Sequence, residues 1–222
     1  MSKIQFMEES TQREKILKRV RNALIRKTDN PFPDPDFESA IYNEIDDSLD
    51  VVFAEEFIKV SGKFVYCESE LEFAENLKIL MSENNWINVF CSENKVKQIL
   101  ADGQIPFLFK NDELQDIEVG VTLCEYLIAR HGSIMVSSKQ ECGRRLFVYP
   151  PVHIVVAYTS QLVPNLIHAL NGIKQKYGDK IPSMISVITG PSRTADIEKT
   201  LVLGAHGPKE IYLFLIDDTL YE

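Results

Sequence analysis

Two apolar runs constrain the fold of this chain most strongly. HIVVAYT (153–159) and EIYLFLID (210–217) carry almost no polar alternation. A strand with water on one face reads apolar-polar-apolar; an unbroken apolar strand needs cover on both faces. Other short runs repeat the theme: FVYC (64–67), WINVF (86–90), IEVGVTL (117–123), SIMVSS (133–138) and MISVIT (184–189). Between them lie segments of helical character: ELEFAENLKILM (70–81), NKVKQIL (94–100), LVPNLIHALNGIKQKYG (162–178) and TADIEKTLVL (194–203). Strands alternating with helices at this spacing predict an α/β fold, a mostly parallel sheet with helices on both faces.

The N-terminal part follows another rule. Thr11 and Glu14 form a capping-box pattern, and Ile16, Leu17, Val20, Ala23 and Leu24 then recur at helical spacing. Arg13, Lys18, Arg19, Arg21, Arg26 and Lys27 make the other face basic. DNPFPDPD (29–36) has three prolines and cannot continue a helix. The expected organisation is a helical arm over 1–28, a proline-rich linker over 29–36 and an α/β domain over 37–222. The arm is either a docking helix, for a partner or a second copy of the chain in a homo-oligomer, or a helix packed on its own domain with a solvated basic face. The acidic stretch after the linker (Glu44, Asp46, Asp47, Asp50, Glu55, Glu56) reads as a solvated helix face or as a complement to the basic arm.

Charge and cysteine usage narrow the partners. The formal net charge is -9 and the pI about 5.1. A field of that sign repels nucleic acid and anionic membranes, so neither is an expected partner. No apolar run approaches the roughly 20 residues that a membrane-spanning helix needs. MSKIQFMEES lacks the basic-then-apolar order of a signal peptide, so the expected location is cytoplasmic. Cys67, Cys91, Cys124 and Cys142 form no CxxC pair, and His131, His153, His168 and His206 form no HxxxH or HExxH pair. No locally encoded metal site, iron–sulfur cluster or dinucleotide fingerprint is therefore expected, and no directly bound cofactor.

Parallel sheets gather ligands beyond the carboxyl ends of their strands. Three loops look suited. In Ile188-Thr-Gly190-Pro-Ser192-Arg193-Thr194 an apolar run ends before a helix-like segment. The free N–H groups of such a helix, with Arg193, could hold a carboxylate or phosphate. Asp196 and Glu198 already complement the same dipole, and Ser192 or Thr194 could simply be the N-cap. The second loop, Arg130-His-Gly132-Ser133, offers a tight turn or a close backbone approach to a ligand, with Ser133 and Ser137 as nearby hydroxyls. The third, Leu203-Gly-Ala-His206-Gly207-Pro208, combines a helix stop with a histidine that could be a proton donor, an anion contact or a cap. His153 opens an apolar strand, where a histidine is either structural or catalytic.

The run ITGPSRTADIEKTLVLGAHGP (188–208) resembles the signature of the LUD domain family, most closely its lactate-utilisation protein C branch. PPVHIVVA (150–157) is similar to a second segment of that family, and IARHGSIMVSS (128–138) to a third. The likeness covers roughly Lys63 to Asp217. His131 and Ser133 stand where that third segment usually has threonines, and Glu125 where an aspartate is common. The resemblance implies a NagB/RpiA/CoA-transferase-like fold, that of sugar-phosphate isomerases and CoA-transferases. It also implies a role in oxidising L-lactate to pyruvate beside partner proteins that carry iron–sulfur clusters. It favours the anion-site reading: Gly132, Ser133, Ser137, Gly190, Ser192, Arg193, Thr194 and Gly207 binding a lactate- or pyruvate-like carboxylate, with His206 or His153 as the base. Two other classes stay open. One is a stand-alone CoA-transferase- or isomerase-type enzyme using Glu125 or Glu141. The other is a metabolite-sensing protein without chemistry.

Overall fold

The computed structural model describes residues 11–25, 30–36, 39, 42–109, 117–194 and 202–219. Its contacts divide the chain into two units, Met1–Asn43 and Glu44–Glu222.

In the first unit the capping box forms. Thr11 N–H donates to Glu14 at 2.8 Å, and Glu14 N–H donates to the Thr11 hydroxyl at 3.3 Å. These bonds satisfy the first free donors of helix α1 (Gln12–Ile25), whose residues are all exposed. Asn30 folds its side chain onto Phe32, donating to its carbonyl at 2.7 Å and accepting from its N–H at 3.0 Å. That turn lies within the proline-rich segment.

In the second unit the two apolar runs are adjacent inner strands of a six-stranded sheet. Strands β1 (Lys63–Cys67), β2 (Val89–Phe90), β3 (Phe107–Leu108), β4 (Val119–Thr122), β7 (Val152–Tyr158) and β12 (Glu210–Ile216) lie in the order β1-β12-β7-β4-β2-β3, every pair parallel. Both faces are covered, as the lack of alternation requires. Tyr212, Phe214 and Ile216 join Ile154 and Val156 in one core with helices α3 (Glu70–Asn84) and α4 (Asn94–Asp102). Ile211, Leu213 and Leu215 join Val155 and Ala157 in another with helix α2 (Leu49–Lys59). Each fully buried Phe or Leu there contributes about 1.5–3 kcal/mol. The acidic segment is thus more than a solvated face, since α2 buries Phe53 and Phe57.

A second sheet completes the cover. Strands β5 (Tyr126–Ile128), β6 (Ser133–Ser137), β8 (Leu162–Val163) and β9 (Ile185–Ile188) lie in the order β8-β5-β6-β9. Its β5–β6 and β6–β9 pairs are antiparallel. Helix α5 (Leu166–Tyr177) packs on its outer face through Ala169 and Ile173 against Ile128 and Met135. The structure corrects two expectations. SIMVSS and MISVIT belong to this second sheet, not to the parallel one. The segment TADIEKTLVL also differs: Arg193–Thr194 (β10) and Val202–Leu203 (β11) pair as an antiparallel hairpin, so both ends of the expected helix are extended. Positions 195–201, with Asp196 and Glu198, lie outside the described residues. Among the described residues no helix is long and apolar enough to cross a membrane.

Candidate functional site

The glycine-rich loops on either side of the β10–β11 hairpin fold against each other. Ser192 N–H donates to the Pro208 carbonyl at 2.9 Å, and Gly204 N–H donates to the Ser192 carbonyl at 2.9 Å. A Cβ on Gly207 would stand 3.0 Å from the Ser192 Cβ, so this crossing needs a small residue. The laced loops form one wall of a cleft of about 340 Å³, and β9 and Phe147 form others. Gly190, Ser192, His206 and Gly207 all line it, so the structure unites four of the expected site residues. Ser133 stands behind them, with its hydroxyl 2.9 Å from that of Thr189, which also lines the cleft.

The cleft is not where the strand-end rule places a ligand. It lies beside Pro208 and Ile211, at the amino end of β12, because its other strand, β9, belongs to the second sheet.

The remaining expected residues go elsewhere. Arg193 donates to the Val60 carbonyl and to the Ser61 hydroxyl, the latter at 3.1 Å. Val60 caps the C-terminus of α2, where a cation complements the helix dipole. Thr194 pairs with Val202 in the hairpin. Gly132 takes φ +53°, and a Cβ there would meet the Phe57 nitrogen at 2.2 Å, so it lets α2 pack closely. Ser137 donates to Glu125 at 2.6 Å.

The cation of the cleft is Arg144, which the sequence reading missed. Its guanidinium donates to the Ser183 hydroxyl at 2.5 Å. The only sequence signal was an Arg-Arg pair after Gly143 in an acidic chain, without a motif around it.

His153 lies fully buried on β7, its Nε2 2.8 Å from the Thr122 hydroxyl and its ring 6.0 Å from that of Phe147. Nδ1 has no hydrogen-bond partner among the described residues. Burial pushes its pKa down to about 4. It does not line the cleft, whereas His206 is exposed there.

A smaller cavity of about 230 Å³ does lie beyond the carboxyl ends of β2 and β4. Two buried glutamates line it in contrasting environments. Burial works to raise the Glu125 pKa, but donors hold it below the usual carboxylate range: Lys176 at 2.7 Å, Ser137 at 2.6 Å and Tyr177 at 2.7 Å. Glu93 accepts from Leu123 N–H at 2.6 Å and from Gln140 at 3.2 Å, yet burial prevails and raises its pKa. Glu141 sits on the rim and accepts from the N–H of Asn94, the first residue of α4, at 2.7 Å. Glu93 was also missed; it follows the apolar run INVFC directly after one serine, with no motif to mark it.

The four cysteines are buried free thiols. Burial raises Cys67 to about 11 and Cys91 to about 12, and raises Cys124 and Cys142 as well.

Comparison with known proteins bears on these features. The family profile described as LUD domain matches residues 52–216. A lactate utilization protein C from Bacillus licheniformis is 38% identical over 106 residues, which cover 47% of this chain and 44% of that protein. Lactate utilization protein C from Bacillus subtilis is 36% identical over 106 residues, with the same shares. The one from Bacillus pumilus is 39% identical over 100 residues, 44% of this chain and 42% of that protein. These matches thus span less than half of each relative. Among solved structures, a DUF162 family protein from Deinococcus radiodurans aligns with a TM-score of 0.57 at 14% identity, covering 76% of this chain and 96% of that one. That likeness concerns the fold alone.

Proposed function

The chain belongs to the LUD domain family, and from that premise we propose that it is a component of an L-lactate utilisation system that binds a small carboxylate in the cleft. In this reading L-lactate is oxidised to pyruvate by the system as a whole, and iron–sulfur clusters reside on partner proteins. The chain itself binds no cofactor; its dispersed cysteines support that division of labour. The names of the relatives support the metabolic role. One observation carries the binding role: Arg144, Thr189, Ser192 and His206 all line one cleft within the family-matched region.

An arginine beside a serine hydroxyl suits a carboxylate, because its planar fork offers paired donors. His206 lines the same cleft and is exposed, so it is the histidine open to a ligand; buried His153 is not. The arm, with its basic face, is the surface offered to a partner or to a second copy.

The test is calorimetric titration with L-lactate, pyruvate and acetate, on the wild type and on Arg144→Ala. Arg144→Ala should weaken carboxylate binding roughly ten- to a hundredfold, the worth of one charged hydrogen bond. Absence of any carboxylate binding by the wild type would defeat the reading. Co-purification from cells tests the partners; recovery of the chain without iron–sulfur proteins would remove them.

The enzyme reading through Glu125 has one supporting observation, the cavity that it lines. Three donors already hold that carboxylate, which lowers its nucleophilicity. Turnover of an acyl-CoA by the purified chain would revive it.

A further inference from the structure

We propose that the cleft beside β9 takes an elongated amphipathic carboxylate, longer than a three-carbon hydroxy acid, with its anionic end at Arg144 and its apolar body along β9. The proposal rests on the reading of this cleft as a carboxylate site and adds the size and polarity of what fills it.

Length is the first argument. Met184 and Thr189 both line the cleft, so it runs the whole of β9. At about 3.3 Å per residue, those five steps span roughly 16 Å. The cation belongs to one end: Arg144 bonds Ser183, just before Met184. The hydroxyls of Thr189 and Ser192, with His206, belong to the other. A three-carbon acid held by Arg144 does not reach that far end. A longer ligand fills the distance and leaves the far hydroxyls for a second polar group.

Polarity is the second. The apolar walls of the cleft include Phe147, Val148, Val187, Ile188 and Ile211. Val148 is 48% exposed and Val187 44% exposed, so apolar surface stands open to water on this cleft. A hydroxy acid whose body is one methyl group covers little of it. Methylenes laid along it bury apolar area on both sides, and each buried CH₂ tightens binding roughly three- to fourfold.

Volume agrees. About 340 Å³ is within the range of clefts that enclose ligands far larger than lactate. Met184, unbranched and adaptable, lies at the cationic end, where it can adjust to bodies of different shape.

The experiment is a titration of the full chain with 2-hydroxy acids of growing chain: lactate, 2-hydroxybutyrate, 2-hydroxyhexanoate and 2-hydroxyoctanoate. Hexanol serves as a ligand with the body but not the anion. The expected result is affinity climbing roughly three- to fourfold per methylene at least as far as the hexanoate. Arg144→Gln should weaken the whole series by a similar factor, and Val187→Asp should flatten the climb while lactate binding persists. Hexanol should bind far more weakly than 2-hydroxyhexanoate. Lactate binding as tightly as 2-hydroxyhexanoate would overturn the proposal and leave the carboxylate reading standing. Failure of every acid to bind would overturn both. Hexanol binding as tightly as the hexanoate would overturn the anionic end at Arg144.

Discussion

Arg193 donates a hydrogen bond to the backbone carbonyl of Val60, 133 positions earlier in the chain. The bond ties the loop after β9 to the C-terminus of α2, and a second one to the Ser61 hydroxyl reinforces it. Gly190 makes the same approach: a Cβ there would stand 2.2 Å from the Val60 oxygen. So the arginine of the family-like motif serves as a helix cap, while the cleft beside it draws its cation from Arg144. Arg193→Ala should cost about 1 kcal/mol, since the bond is charge-assisted but exposed. In a chain of this size that lowers Tm by roughly 2–4 °C. Carboxylate affinity should be unchanged. Lost affinity at an unaltered Tm would return Arg193 to the binding site.

Gly132→Ala is expected to be the more damaging change. The new methyl would meet the backbone of α2 at Phe57, at φ +53°, and neither main chain can yield cheaply. A loss of at least about 2 kcal/mol is expected, with Phe57 driven from its core. Chemical denaturation measures it. A variant as stable as the wild type would show that α2 does not pack as described.

The two buried glutamates should respond oppositely to neutralisation. Glu125 has a lowered pKa, so its ionised form contributes stability that is present above the ordinary carboxylate pKa and lost as pH falls through the folded one. Glu93 has a raised pKa, so folding favours its protonated form and stability declines as pH rises through that shifted value. At pH 7, Glu125→Gln should therefore destabilise by about 1–2 kcal/mol, because Ser137 and Tyr177 lose a charged acceptor. Glu93→Gln should be neutral or stabilising. Denaturation of both variants at pH 7 decides it, and the same sign for both would contradict the contrast in their surroundings.

The parallel sheet was legible because its physics is local to each strand. HIVVAYT and EIYLFLID have no polar face, so they needed cover on both faces, and they are the inner strands β7 and β12. The capping box at Thr11 and Glu14 was legible for the same reason: both partners lie within one turn. The second sheet was not. β5 has three residues and β8 two, too few for a periodicity to register. β9 reads the same whether its neighbours are parallel or antiparallel, and only its pairing with β6 decides. The site was half legible. Gly190, Ser192, His206 and Gly207 stand in loops whose composition marked them. Arg144 and Glu93 reach their cavities through tertiary packing that no short motif encodes. Arg193, expected at an anion, bonds in the structure to a carbonyl at a helix C-terminus, which attracts a guanidinium much as a ligand anion does.

His153 should make the fold acid-sensitive. Its pKa is about 4 in the folded protein, against 6.5 for an ordinary histidine, and the cause is complete burial. With a depressed folded pKa, the unfolded chain takes up the proton first on acidification. Stability is therefore full above about pH 6.5 and declines as pH falls toward 4, and rises again with pH over the same window. The gap corresponds to about 3 kcal/mol, a large fraction of the stability of an ordinary domain. Carboxylates titrate in the lower part of this window too, so the informative quantity is a difference between proteins. His153→Gln keeps a group able to bond the Thr122 hydroxyl but carries no titrating proton. The variant should lose some stability at pH 7.5 through imperfect packing beside Phe147, yet lose less than the wild type between pH 7 and pH 4.5. Urea denaturation at half-unit steps of pH measures both curves. Parallel curves would mean that His153 protonates in the folded state as readily as in the unfolded one, which would require a water path to Nδ1 and an open route into the core beneath Phe147.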